Sequence, residues 1–173
     1  DEQKVKFMKE ALFEAKLAAK IGEVPIGCVI VKDGKIIGRG HNLREHSQNA
    51  TLHAEMLAIE EACKKIGRWR LDECTLYTIW RLVDTQLFVT LEPCPMCSGA
   101  IINSRIPEVY YGASDPKAGT VGTLMNLLED SRFNHQSFVE KGILENECAS
   151  ILKDFFKSIR EKMKKKRKNR VKD

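Results

Sequence analysis

His53-Ala54-Glu55, followed further along by Pro93-Cys94-Pro95-Met96-Cys97, decides how this sequence is read. One histidine and two cysteines make three zinc ligands, the number a catalytic zinc takes when its fourth position is kept for water. A structural site takes a fourth protein ligand. Glu55 is then left as a carboxylate free to move protons. The spacing works only at helix starts, because residues two apart on a helix are rotated by about 200° and converge on one point only from a first turn. Asn49-Ala50-Thr51-Leu52 offers cap-forming side chains just ahead, and residues 56–63 continue with good helix formers. Cys94 and Cys97, three apart, share one side of a second first turn, with Pro93 and Pro95 where a helix start tolerates proline. Two helix N-termini then face the metal, favour thiolate over thiol, and help bring the pKa of bound water down toward about 7.

A Cys-x-x-Cys alone fits half of a structural zinc site or a redox pair equally well. His53, Glu55 and the flanking prolines turn the balance toward a catalytic zinc, one per chain. Together they form the signature of zinc nucleobase deaminases, so the motif points to hydrolytic deamination. In that chemistry the ring nitrogen gains a proton before attack and the leaving amine gains one after it. Assigning this shuttle to Glu55 is carried over from that class. His41, His46 and His135 lack ligand-like spacing and read as surface or hydrogen-bonding residues. Cys28, Cys63, Cys74 and Cys148 are isolated and read as small, buried or partly buried residues.

At 173 residues and 43% hydrophobic content, the chain has the size and composition of one domain with a substantial core. It contains no 18-residue apolar run and no secretory h-region, so no membrane partner or export signal is visible. Two cysteines needed as reduced ligands argue for a reducing, cytoplasmic compartment. The chain opens on Asp1 without methionine, as a trimmed chain would.

Apolar residues at helical spacing over residues 5–21 (Phe7, Met8, Ala11, Leu12, Ala15, Ala18, Ala19) predict a first helix. Residues 26–31 and 35–40 flank Asp33-Gly34 as a hairpin. The His53 helix follows, then a strand into Cys94, a second zinc helix through Ser104 and a strand at 109–112. After these come a Gly-rich loop at 117–122 and a short helical piece at 124–128. Residues 136–143 fit a fifth strand, and a long helix runs from Glu145. The alternation predicts an α/β fold, a three-layer α/β/α sandwich with a central mixed five-stranded sheet.

The blocks Glu23-Val24-Pro25-Ile26-Gly27, Gly40-His41-Asn42, His53-Ala54-Glu55-Met56 and Leu91-Glu92-Pro93-Cys94-Pro95-Met96-Cys97-Ser98-Gly99-Ala100 occur in that order. Tyr111-Gly112-Ala113, Asn134-His135 and Asp154-Phe155-Phe156-Lys157 continue the series. In these the whole chain resembles the bacterial tRNA-specific adenosine deaminases of the cytidine deaminase-like superfamily. The resemblance implies a cytidine deaminase-like fold and conversion of adenosine to inosine at the wobble position of a tRNA anticodon stem-loop, by a homodimer. It implies His53, Cys94 and Cys97 as zinc ligands, Glu55 as proton shuttle, and Asn42 with Ala54 at the base. It also places Asp115, Lys117, Asn134 and Phe156 along the path of the anticodon loop. Each of these four has a plain structural reading as well: an exposed loop charge for Asp115 and Lys117, a turn residue for Asn134, a core aromatic for Phe156. Glu92 reads as a cap or brace. A deaminase of free nucleosides or bases, and an idle RNA-binding module, are the other functions the motifs admit.

The domain is expected over 1–157, with 158–173 as a basic helix end or tail. Residues 157–173 hold ten Lys or Arg against two acids, so the rest of the chain is net negative although the whole carries +5. Such a run suits phosphate contacts, or simply a solvated helix end that frays after Lys157. One feature departs from the family: residues 69–79 and 80–90 form a tandem repeat, each opening on Trp-Arg-Leu. The second copy runs into Leu91-Glu92-Pro93-Cys94 and is expected to be the strand that delivers the cysteines. The first is expected as an extra loop or strand, extruded near 70–83 and lowering stability. The copies suit the same slot, and slippage would misplace the cysteines. An extruded Trp80 and Leu82 would risk self-association.

Overall fold

The computed structural model describes residues 1–69 and 85–170. Its elements are α1 (Glu2–Lys20), β1 (Gly27–Lys32), β2 (Lys35–His41), α2 (Ala54–Ile66), β3 (Thr85–Leu91), α3 (Pro95–Ser104), β4 (Glu108–Ala113), β5 (Phe138–Lys141) and α4 (Glu145–Arg170). The sheet order is β2-β1-β3-β4-β5. β1 is antiparallel to both β2 and β3, whereas β3, β4 and β5 run parallel. The sheet is therefore mixed and five-stranded, as the sequence predicts.

Strand alternation sorts the core into two layers. Cys28, Ile30, Leu87, Val89, Val109 and Tyr111 face α2 and α3. Val29, Val31, Phe88 and Tyr110 face α1 and α4, where Phe88 stacks on Tyr110 at 4.7 Å. Near-continuous burial along β1 and β3 follows from having helices on both faces. The β1–β2 turn has Asp33 and Gly34 both at positive φ, the conformation that makes Asp-Gly a hairpin signal. Among the described residues, no helix is long and apolar enough to cross a membrane.

Two expectations need correction. Residues 124–128 do not form a helix; a bridge pairs Val121 with Asn126, and Leu127 N donates to Thr120 O. Leu124 N is spent on Gly119 O and Met125 O accepts from Gly122 N, while Glu92 holds the N–H groups of Val121 and Thr123 just ahead, so loop bonds override local helix preference. The fifth strand is cut to Phe138–Lys141, because Gly142 turns out of the sheet at positive φ. α4 continues to Arg170, so the basic end is helical as far as it is described. β3 consists of the end of the second repeat copy. Most of the repeat, the expected extrusion of its first copy and Cys74 lie outside the described residues.

Gly38 and Gly40 set the distance between β2 and α2. A Cβ on Gly40 would stand 2.2 Å from Ala54 O and 2.8 Å from Ala58 N, and one on Gly38 would stand 2.2 Å from Ala58 O. Gly40→Ala should therefore push the first turn of α2 outward and lower stability by about 1–3 kcal/mol, the usual cost of overpacking. Gly99→Ala, with nothing within 4 Å of its added methyl, should be neutral or stabilising. Parallel thermal melts of the two variants check this. Equal Tm values would remove the close-approach argument.

Candidate metal centre

α2 starts at Ala54 with His53 as its N-cap, and α3 starts at Pro95 with Cys94 as its N-cap. Neither cap residue spends its side chain on the helix, which leaves the imidazole and the thiolate for another partner. The expected capping by Asn49 and Thr51 does not occur. Thr51 instead donates from N and Oγ1 to Asn49 Oδ1, at 3.0 and 2.8 Å, forming a local turn ahead of the helix.

His53 Nδ1 lies 3.7 Å from both Cys94 Sγ and Cys97 Sγ, and the three donor atoms are all within 4.8 Å of one another. Ligand atoms about 2.0–2.3 Å from a tetrahedral ion stand roughly 3.4–3.8 Å apart, so the cluster fits a metal without rearrangement. The nitrogen that faces both sulfurs is Nδ1, a detail the spacing does not reveal. Glu55, one residue into α2, is buried, and its carboxyl is pushed up to about 7 chiefly by burial, with the negative charge of Cys94 adding to the effect. The Cys94 thiol is pulled down to about 4 by a hydrogen bond from Cys97, helped by His53. Cys97 moves upward in turn, through that same bond and burial. His53 is raised mainly by its bond to Cys94. A bound cation would favour both thiolates.

Beside His53 opens a pocket of 110 Å³ lined by Val24, Ile26, Asn42, Arg44, His53 and Ala54. Asn42 is buried, with Oδ1 accepting a long 3.4 Å bond from Arg44 N. A larger surface groove, 640 Å³, lies between α1 and α4, but no member of the donor cluster lines it. Donor chemistry, not volume, locates the site.

Glu92 is buried at the end of β3 and braces the loop that closes over α3. Its carboxylate accepts from Asp115 N, Val121 N, Thr123 N and Thr123 Oγ1. Thr120 adds bonds from N and Oγ1 to Pro93 O, at 3.0 and 3.2 Å, and its hydroxyl pairs with Ser98 Oγ at 2.9 Å. The loop is thus fastened to the residues that present Cys94.

The structure brings His53, Cys94, Cys97 and Glu55 together, with Asn42 and Ala54 at the adjoining pocket. Asp115, Lys117, Asn134 and Phe156 do not line that pocket. Asp115 is half-buried and accepts from Lys117 N and Ala118 N, which shapes its own loop. Lys117 and Asn134 are exposed. Phe156 is 43% exposed and edge-on to the half-buried Phe155 at 5.5 Å, so it is not a core aromatic. His41, His46 and His135 all act in hydrogen bonds: with Glu14, through backbone N with Glu23, and with Ile106 O.

Sequence reasoning gave no role to Glu23, which is 1% exposed and takes the His46 N–H on one oxygen, while the other has no partner among the described residues. Its only signal was an acid beside the apolar Val24-Pro25-Ile26.

The family profile of MafB19-like deaminases matches residues 2–160. The tRNA-specific adenosine deaminase of Bacillus subtilis is 55% identical over 163 residues, spanning 94% of each chain. The chain belongs to the tRNA-specific adenosine deaminase family. That of Aquifex aeolicus is 45% identical over 89% of this chain and 94% of its own length. A solved structure from work on A-to-I editing by tRNA:A34 deaminases at the wobble position superposes with TM-score 0.76 at 40% identity. It covers 85% of this chain and 99% of that one. The chain is therefore a deaminase, a hydrolase of cytidine deaminase-like fold.

Glu92→Gln puts an NH₂ where four donors now converge. It should cost about 1–3 kcal/mol and loosen residues 115–123. Hydrogen exchange of Val121 and Thr123 amides should rise well above that of β4. Unchanged protection would show that Glu92 does not hold the loop.

Proposed function

We propose that this deaminase converts adenosine to inosine at the wobble position of a tRNA anticodon, using one zinc ion held by His53, Cys94 and Cys97. The observation that carries the reaction class is the three-donor cluster beside the buried Glu55. The choice of substrate draws on the tRNA-specific relatives. Zinc at this site supplies the Lewis acidity that makes water a nucleophile at neutral pH.

This chain's residues do the rest. Glu55, with its pKa lifted to about 7 by burial, takes a proton and returns it near neutrality. It protonates the adenine ring nitrogen N1 as water attacks C6, then the departing amine, so adenosine and water give inosine and ammonia. Asn42 hydrogen-bonds the base, and Ala54 and Ile26 close the pocket around it. A base enters such a pocket only when taken out of its stack. Asp115, Lys117, Asn134 and Phe156 contact the nucleotides on either side. The reading also takes the enzyme to be a cytoplasmic homodimer. Leu124, Met125, Phe133 and Phe138, large apolar side chains all exposed between residues 124 and 138, support a covering second copy.

The test is an anticodon stem-loop with adenosine at the wobble position, incubated with zinc-loaded protein and assayed for inosine by mass. The parent should form inosine. Glu55→Ala should keep its zinc but lose about a hundred- to ten-thousand-fold in kcat. Cys94→Ser should lose zinc together with activity. Product from free nucleosides or guanine but none from RNA would overturn the substrate assignment.

A further inference from the structure

The last three turns of α4 are used by neither the metal centre nor the pocket. Among the described residues Ile159 is the last partly buried one, and residues 160–169 are all exposed, a protrusion of roughly 15 Å. This stretch lies at and beyond the end of the family match. From Arg160 to Arg170 stand eight Lys or Arg against one acid, Glu161.

A helix C-terminus favours cations through its dipole, but that effect is confined to the last turn. Here the cations extend well before it. Lys162, Lys166 and Arg170 follow at i,i+4 spacing, as do Arg160, Lys164 and Lys168, and like charges so placed oppose the helix. The arm thus carries a repulsion that a polyanion would relieve. Its composition also discriminates between partners. A membrane-surface helix or a helix bound in a protein groove needs an apolar stripe, whereas the only large apolar side chain here is Met163, 60% exposed. Cations on all sides suit phosphates approaching from several directions.

We propose that residues 160–170 form an arm that binds RNA phosphates without reading sequence and holds the stem of the substrate while the target base occupies the pocket. The proposal rests on the RNA reading of the active site, so the experiment separates the two.

Two full-length variants change Lys164, Lys165, Lys166 and Lys168 together, to Gln in one and to Arg in the other. Both residue types preserve the helix, which circular dichroism checks. Binding of fluorescent tRNA is read by anisotropy between 50 and 200 mM salt, alongside inosine formation. The Gln variant should bind about ten-fold or more weakly at 50 mM, with a slope of log affinity against log salt shallower by at least about 1. It should show a raised KM with kcat kept. The Arg variant should match the parent. Equal affinities and equal slopes for parent and Gln variant would overturn the arm. So would phosphatidylserine vesicles that displace tRNA at equal phosphate, since a membrane would then be the better partner. If the parent binds tRNA and the Gln variant loses it, but neither forms inosine, the arm stands and the wobble-deamination reading falls.

Discussion

Everything at the metal centre depends on two helices beginning at one point in space. α2 presents His53 and α3 presents Cys94 as N-cap residues, and both caps leave their side chains unspent on the helix. The exposed N–H groups of two first turns then surround a site meant for thiolates, and their partial positive charge favours the deprotonated sulfurs. α3 is held by the exit of β3, the strand that ends at Leu91 and leads directly into Pro93-Cys94. α2 is held by contact with β2, where glycines at 38 and 40 let backbone meet backbone. A side chain at either glycine would tilt the helix that carries both a ligand and the carboxylate. The sheet is thus a ruler, and its glycine face sets the metal geometry.

Two buried glutamates near this point show how environment divides labour. Glu92 has its oxygens filled by three backbone N–H groups and one hydroxyl, so it is fixed as an acceptor and serves as a brace. Glu55 is equally buried, but burial dominates over stabilising bonds and lifts it to about 7, where a proton is neither held nor refused. The same side chain is thus a structural post in one place and, in the proposed mechanism, a proton carrier in the other. Hydrogen-bond supply makes the difference.

The sequence was most legible where chemistry forces spacing. Three donors at helix starts, an Asp-Gly hairpin and the alternation of strands with helices leave few alternatives, and the sheet with its two helical layers follows from them. Legibility failed where distant groups decide. Residues 124–128 have a helical composition, yet Leu127 N pairs with Thr120 O and Met125 O with Gly122 N, while Glu92, far back in the chain, fixes the residues just ahead of them. Asn49 and Thr51 look like caps but bond each other, because the capping position already belongs to His53. The four residues assigned to the RNA path by resemblance lie outside the pocket, and no local pattern in the sequence ties them to it.

The dimensions of the site explain why an RNA deaminase needs binding surface elsewhere. A pocket of 110 Å³ admits little more than a base, and its walls are three apolar side chains with one amide, one guanidinium and one imidazole. Such contacts discriminate among bases but supply limited affinity, because taking a nucleotide out of its stack costs a few kcal/mol before any bond to it is made. Phosphate contacts must then offset that cost, and they do so without reading sequence. The rest of the chain is net negative and would repel RNA if its charge were evenly spread. Collecting the cations on one protruding helix end resolves the conflict: the core keeps the acidic groups that its fold and chemistry use, and attraction to the polymer is placed where it perturbs neither.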